Sequence, residues 1–158
     1  MIPIIALAGS LNGVMSLFVA GRLYLSYRKT RSAAQGYFLL FYLYFGVFYL
    51  YFAGSQLIFA YERTGTVIGI FNVVSYFFLY FSLGYLLSFP LVLNDQEVLA
   101  QRMLVGALVL SVVFLAVRIS HFQPSVQEVV GRYVYWRSIY PTWMRVVTGL
   151  LATGVGLY

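Results

Sequence analysis

Few residues in this chain have side chains that could perform acid–base, ligand or covalent chemistry. His121 is the only histidine, Lys29 is the only lysine, and there is no cysteine. Without thiols, disulfides, thiolate catalysis and cysteine-based zinc or iron–sulfur sites are excluded. One histidine cannot supply the paired axial ligands of a transmembrane haem b, and Lys29 follows the first apolar run rather than lying within one, which argues against a retinal Schiff base. The sequence predicts no catalytic residues and a protein that is not an enzyme.

His121 and the acidic residues fall at the ends of apolar runs or between them. We expect His121 to be an interfacial side chain bonded to backbone, lipid or water. A single bond from His121 to a pigment metal or a quinone, or a pH-sensitive contact, is the alternative. The acids sit where a proton relay at mid-membrane is not expected, and no metal site is predicted from them: Glu62, Asp95, Glu97 and Glu128.

Aromatic residues are dense in the second apolar run, where residues 37–52 hold ten Phe or Tyr. Five of these recur at alternating steps of four and three, which places them on one face of a helix: Tyr37, Phe41, Tyr44, Phe48 and Tyr51. Three interpretations stay open for this stripe: packing against the next span, docking on another membrane subunit, and lining a groove for a quinone, carotenoid or chlorin. Ring stacking suits all three, because planar ligands and side chains make the same contacts.

Small and amide residues indicate where helices approach one another. Two GxxxG patterns occur, Gly9 with Gly13 and Gly65 with Gly69, and these favour close helix contact within the chain or with another subunit. Asn12 and Asn72 are expected to form helix-to-helix hydrogen bonds, since an unpaired amide in hydrocarbon is costly.

Arginines near the ends of the apolar runs have a simpler expected role. Arg22 and Arg118 each lie within a turn or two of a predicted helix end. We expect both side chains to extend to the lipid headgroups, because long cationic side chains can bury their stems while the charge reaches water.

The composition explains why these residues must be placed by membrane helices. The chain of 158 residues is 62% hydrophobic and only 9% charged, whereas roughly a quarter of a soluble domain is charged. Its apolar runs match the roughly 20 residues that a helix needs to cross hydrocarbon. The net charge of +6 is scattered among segment ends, so membrane lipids are expected partners and nucleic acid is not.

The predicted fold is an all-α integral membrane protein, a single bundle of about five transmembrane helices over residues 1–158. The spans are 3–26, 36–60, 67–90, 95–120 and 142–158. Pro90 is expected to end the third span, and Asn94 with Glu97 has the form of a capping box for the fourth. Ser125 with Glu128 has the same form, which predicts a short interfacial amphipathic helix within 125–139.

Orientation depends on the basic residues, which divide evenly between the two sides of the predicted topology. The tight cluster Arg28, Lys29 and Arg31 after the first span favours the cytoplasmic side for that loop. We therefore predict an N-terminus outside, in a membrane that is expected to be the bacterial inner membrane.

Three functions are compatible with these features. The first is a non-catalytic accessory or structural subunit of a larger membrane assembly, with other membrane subunits as partners. The second is a membrane-embedded sensor or signalling domain whose output part lies outside this chain. The third is a small transporter or lipid-handling enzyme, which the lack of predicted buried charge disfavours.

Overall fold

In the computed structural model, residues 3–58, 65–137, 139–147 and 149 are described. Four long helices follow one another: α1 Ile4–Thr30, α2 Ala33–Ile58, α3 Thr66–Leu93 and α4 Glu97–Ser120. Each is long and apolar enough to cross a membrane. The shortest has 24 residues and so extends about 36 Å, more than the hydrocarbon thickness of about 30 Å. The predicted helical membrane architecture thus rests on four spans.

The fifth predicted span falls mostly outside the described residues. Residues 142–147, at its start, are helical, and Met144 there is fully buried. The fifth span therefore stays a prediction beyond that short helical stretch.

The helix ends differ from the sequence prediction in ways that have local causes. Helix α1 continues beyond Ser26 to Thr30, so that Arg28 and Lys29 occupy its last turn. Basic side chains are favoured there because the carbonyl end of a helix carries partial negative charge. Arg31 then takes a left-handed conformation, with φ of 54°, and its N–H donates to the Tyr27 carbonyl. The two-residue link makes α1 and α2 antiparallel neighbours.

The prediction that Pro90 ends the third span is wrong. Pro90 lies inside α3, which runs on to Leu93. Because proline lacks an N–H, Pro90 removes one backbone hydrogen bond near the end of α3, and the helix continues for three residues beyond it. The Asn94 side chain donates a hydrogen bond of 2.9 Å to the Pro90 carbonyl. This bond supplies a donor to one of the carbonyl groups at the end of α3.

The capping box predicted for the fourth span is also wrong. Asn94 is engaged with α3, and the residue that precedes α4 is Gln96, which makes no side-chain capping hydrogen bond. Asp95 between them has a φ of 57°, so the chain turns sharply from one helix to the next. Asn94 thus belongs to the end of one helix rather than to the start of the next.

The main contacts between the described helices follow chain order: α1 packs on α2, α2 on α3, and α3 on α4. The α1–α2 contact passes through Gly9 and Gly13. A Cβ at Gly9 would lie 2.6 Å from the Ala53 Cβ, and one at Gly13 would lie 3.1 Å from the Tyr49 Cβ. Only glycine lets the two backbones come this close.

The interfacial helix predicted for 125–139 is wrong, because this segment forms an antiparallel β-hairpin. Its strands are β1 Val126–Val130 and β2 Tyr133–Arg137, joined by Gly131 and Arg132. Gly131 has a φ of 61°, which suits a tight turn and interrupts a helix. The strands are rich in valine and aromatic residues, which favour extended structure over helix. Across the hairpin, Arg137 Nη1 pairs with Glu128 Oε1 at 2.9 Å.

Candidate functional site

Buried polar side chains concentrate where the hairpin meets the helices. We define the hairpin-side polar cluster by six residues from different parts of the chain: Ser10, Gln56, Asn72, Arg118, Ser125 and Trp136. The first four belong to the four helices, Ser125 precedes β1, and Trp136 belongs to β2.

The helix register brings the helical members of this cluster to one level of the bundle. Gly9, next to Ser10, lies against Ala53, and the Phe52 ring lies 6.3 Å from the Tyr76 ring. Tyr76 in turn contacts Arg118. Gln56 lies one turn after Phe52, and Asn72 lies one turn before Tyr76. The helical members therefore fall within about two turns, or 11 Å, along the bundle axis.

The hairpin is anchored to the start of α3. The Ser125 backbone N–H donates to the Gly65 carbonyl at 3.1 Å, and Asn72 Nδ2 donates to Ser125 Oγ at 3.3 Å. A Cβ at Gly65 would collide with the Ser125 carbonyl oxygen and would lie 2.7 Å from the Trp136 ring. Gly69, the other glycine of this GxxxG pattern, faces Phe122. This pattern thus lies against the approach to the hairpin rather than against another long helix.

Arg118 does not extend to the headgroups as expected; its side chain is buried, with 3% exposed. The guanidinium carbon lies 3.7 Å from the centre of the Tyr76 ring and 4.3 Å from that of Tyr140. A flat cation between two aromatic faces gains electrostatic attraction from both rings. Arg22 on α1, by contrast, is exposed, and its extension to the headgroups stays a prediction.

Two of the three carboxylates that the structure describes are distant from the Arg118 charge. Asp95 precedes α4 and Glu97 begins it, so both lie about 32 Å or more from Arg118 along the axis. Glu128 pairs with Arg137. The fourth acid, Glu62, falls outside the described residues. Within the described chain, therefore, a buried cation is held by aromatic faces and not by an opposite charge.

Several N–H donors of the cluster are buried without an acceptor among the described residues. They are Gln56 Nε2, Trp136 Nε1, and both Nε and Nη1 of Arg118. The Ser10 hydroxyl is also buried without a partner there. Leaving such a group unmatched costs about 1–3 kcal/mol, and more for a charged group. The cluster presents an excess of donors, so it is suited to a molecule that supplies acceptors.

The predicted aromatic stripe lies along α3. We call this contact the aromatic seam: Tyr37, Tyr44, Phe48 and Tyr51 of α2 against Phe71, Tyr76, Phe78, Phe81 and Tyr85 of α3. The Tyr44 ring packs with three rings of α3, and the distances between ring centres are 4.9 to 6.4 Å. Phe41 stacks on Phe38 and Phe45 of its own helix. These contacts fit internal packing, and cofactor binding by the stripe stays a prediction.

The remaining predicted site residues lie apart from the cluster's buried donors. His121 is exposed at the end of α4, where Nδ1 lies 3.1 Å from the Val117 carbonyl oxygen and 3.0 Å from Ser120 Oγ. Its ring meets the edge of Trp143 at 6.1 Å. Asn12 is exposed on α1, beside a groove that Tyr42 and Tyr49 also line.

The described residues contain no grouping of three or more His, Cys, Asp or Glu that could hold a metal ion. What the cluster offers is one buried cation and several neutral donors, a composition suited to binding rather than to proton transfer.

Sequence reasoning interpreted the members of the cluster separately. Ser125 was expected to cap a helix and Arg118 to reach the headgroups, while Trp136 fits an aromatic belt at the interface. One signal was available in the sequence. Gln56 and Arg118 lie near the ends of the second and fourth spans, and those two ends are on the same side of the membrane. Comparison with protein families, with curated proteins and with solved structures finds no match.

Proposed function

We propose that this chain is a non-catalytic membrane subunit that docks on other membrane helices through the free flanks of α1 and α4. The observation that carries the proposal is the packing in chain order. Each of the two outer helices has one long helical neighbour among the described spans, which leaves a flank of each open. Lipid can cover an apolar flank, so polar groups on a flank are the better indication of a protein partner.

The α1 flank carries such polar groups. A groove of about 280 Å³ between α1 and α2 is lined by Asn12, Ser16, Tyr42 and Tyr49, together with apolar side chains. Asn12 lies about 12 Å into its helix, well inside a membrane-spanning segment. An exposed amide at that depth favours a neighbour that can exchange hydrogen bonds with it.

Purification in mild detergent tests the docking proposal, with Asn12→Leu as the informative variant. The original protein should migrate as a complex whose companion is a membrane protein, and Asn12→Leu should reduce the companion's yield. Phe18→Leu is the matched control, since Phe18 is an exposed apolar residue of the same helix. A stable monomer without a companion, or equal yields from both variants, would contradict the proposal.

A bound quinone, carotenoid or chlorin is a further part of this proposal. The stripe packs largely against α3, although 39% of the Tyr51 surface is exposed. A flat cofactor would therefore contact the edge of the aromatic seam rather than replace it. The absorption spectrum of the purified protein tests this directly, because each of these cofactors absorbs outside the protein bands.

A sensor or signalling domain is the second candidate, and the hairpin-side polar cluster favours it. At this cluster, the buried Arg118 of α4 contacts Tyr76 of α3 and Tyr140, which follows the hairpin. A ligand bound there would act on α3, α4 and the segment that follows the hairpin. The discriminating result is a ligand-dependent conformational change in the isolated protein without any companion.

We place the protein in the bacterial inner membrane with its N-terminus outside. The cluster Arg28, Lys29 and Arg31 at the α1–α2 link supports this orientation. In intact cells, Gln127→Cys on the hairpin should react with an impermeant thiol reagent, whereas Ser32→Cys should not. Labelling of Ser32→Cys instead would reverse the orientation.

A further inference from the structure

We propose that the hairpin-side polar cluster binds an oxyanion, either a carboxylate or a phosphate, with Arg118 as its principal ligand. This site is separate from the α1 and α4 flanks. The oxyanion proposal can therefore fail while docking holds, and docking can fail while the oxyanion proposal holds.

The way in which Arg118 is held suits it for this role. The guanidinium carbon lies over the Tyr76 ring, 3.7 Å from the ring centre, and over the Tyr140 ring, 4.3 Å from the ring centre. Stacking of this kind fixes the plane of the group and leaves the N–H bonds along its edge. Nε and Nη1 on that edge are buried and have no acceptor among the described residues. A preorganised edge with free donors is the geometry that recognises carboxylate and phosphate.

The neutral donors of the cluster add to the same preference. Gln56 is 98% buried, and its Nε2 is unmatched. Trp136 is 94% buried, and its indole N–H is unmatched. An oxyanion offers acceptors only, so it matches a surplus of donors better than a hydroxyl or an amide ligand would.

The charge of Arg118 favours an oxyanion over ordered water as the partner of the unmatched donors. Water could accept hydrogen bonds from the four N–H groups that have no acceptor among the described residues, but it would not supply a counter-charge to the guanidinium. Asp95 and Glu97 lie at the far end of α4, and Glu128 is paired with Arg137. A bound anion neutralises Arg118 where these three carboxylates do not.

The position of the site gives it a specific optical signal. The chain has two tryptophans, Trp136 and Trp143. Trp136 is a member of the cluster. Trp143 packs against His121, and His121 follows Arg118 by three residues in the sequence. Because Arg118 is almost fully covered and Tyr140 lies over it, an anion reaches it when neighbouring segments such as that of Tyr140 shift. Binding should therefore change the tryptophan emission.

The experiment titrates the purified full chain in an uncharged detergent with inorganic phosphate, and separately with acetate, while chloride keeps the ionic strength constant. Tryptophan emission is the readout. In a second arm, the protein is placed in nanodiscs of phosphatidylcholine alone or of phosphatidylcholine and phosphatidylglycerol in equal parts. The first arm detects a free oxyanion, and the second detects the phosphate of a lipid headgroup.

We expect a saturable emission change in at least one arm. Arg118→Gln should weaken the apparent affinity about tenfold or more, the loss that corresponds to one charge-assisted hydrogen bond. Arg118→Lys keeps the charge but loses the stacked plane, and it should give an intermediate loss. Arg102→Gln is the matched control, because Arg102 lies near the opposite end of α4, and it should leave the response unchanged. If Arg118→Gln does not fold, the comparison of Arg118→Lys with the original protein carries the test.

Three results would overturn the proposal. The first is no saturable response in either arm. The second is a response that is the same in the original protein and in every Arg118 variant that folds. The third is strong coupling between Arg118→Gln and Glu62→Gln in a double-mutant stability cycle, because the chain would then supply its own counter-charge.

Discussion

The aromatic seam and the hairpin-side polar cluster are both buried, but their internal partners differ. In the seam, rings of α2 meet rings of α3, and Tyr44 contacts Phe78, Phe81 and Tyr85. In the cluster, four buried N–H donors have no acceptor among the described residues. The rings of the seam therefore pack on one another, whereas the buried donors of the cluster have no acceptor in the described part of the chain.

This difference separates packing from candidate function. Helices in a membrane gain little from apolar burial alone, so ring packing in the seam supplies stability through dispersion and stacking. Unmatched donors and an isolated cation oppose stability. Strained polar sites of this kind are typical of places where a protein binds something.

The largest expected effect is in the seam. Tyr44→Ala removes a ring that packs on three others, and it should cost about 2–3 kcal/mol of unfolding free energy. Tyr44→Phe is the matched control and should cost much less, because it keeps the ring. Thermal unfolding in detergent, followed by circular dichroism, measures both. Equal midpoints for the two variants would show that the ring does not stabilise the contact.

The α1–α2 contact should respond nearly as strongly to added volume. Gly9→Leu places a side chain where a Cβ would already lie 2.6 Å from the Ala53 Cβ. Overpacking of this kind costs about 1–3 kcal/mol. Gly21→Leu is the control in the same helix, since a Cβ at Gly21 would meet nothing within 4 Å. If the two variants unfold at the same temperature, the close approach of α1 and α2 is wrong.

A smaller effect is expected where the hairpin is anchored. Ser125→Ala removes the oxygen that accepts a hydrogen bond from Asn72 Nδ2 inside the protein, and it should cost about 1–2 kcal/mol. Ser120→Ala, at an exposed serine of α4, should cost less. Limited proteolysis of the hairpin adds a local readout, and faster cleavage is expected for Ser125→Ala alone. Equal cleavage of both variants would count against the anchor.

The smallest effect is expected at the outer side of the hairpin. Glu128→Gln removes the ion pair with Arg137, whose side chain is 54% exposed, so solvent already screens the charges. The loss should be about 0.5 kcal/mol or less. The unfolding midpoint should thus stay close to that of the original protein. A large fall in the midpoint would mean that Glu128 contributes more than an exposed ion pair.

The sequence predicted the spans well because apolar runs of membrane length leave few alternatives. It located their ends less well. Helix α1 ends at Thr30 rather than Ser26, and α3 passes through Pro90, because polar ends and a late proline are compatible with helix. The hairpin was missed because a capping-box pattern is local, and the turn at Gly131 overrides it.

The candidate site could not be predicted from the sequence. The stripe through Tyr44 was visible because its members are close along one helix. Gln56, Arg118 and Trp136 are far apart along the chain, and their burial without acceptors among the described residues becomes visible only when the structure is known. A cation stacked between Tyr76 and Tyr140 has no signature in sequence spacing.

The most direct test of this contrast is the unfolding midpoint of Arg118→Met in an uncharged detergent without phosphate or anionic lipid. If the cluster is incomplete within the chain, removing its cation should change the unfolding free energy by less than about 1 kcal/mol, or increase it, because lost stacking is offset by relieved desolvation. The midpoint should then stay close to that of the original protein or rise. The same variant should lose the tryptophan response to the oxyanion. A fall in the midpoint as large as that of Tyr44→Ala would contradict the account, since Arg118 would then be a structural residue with its partners inside the chain.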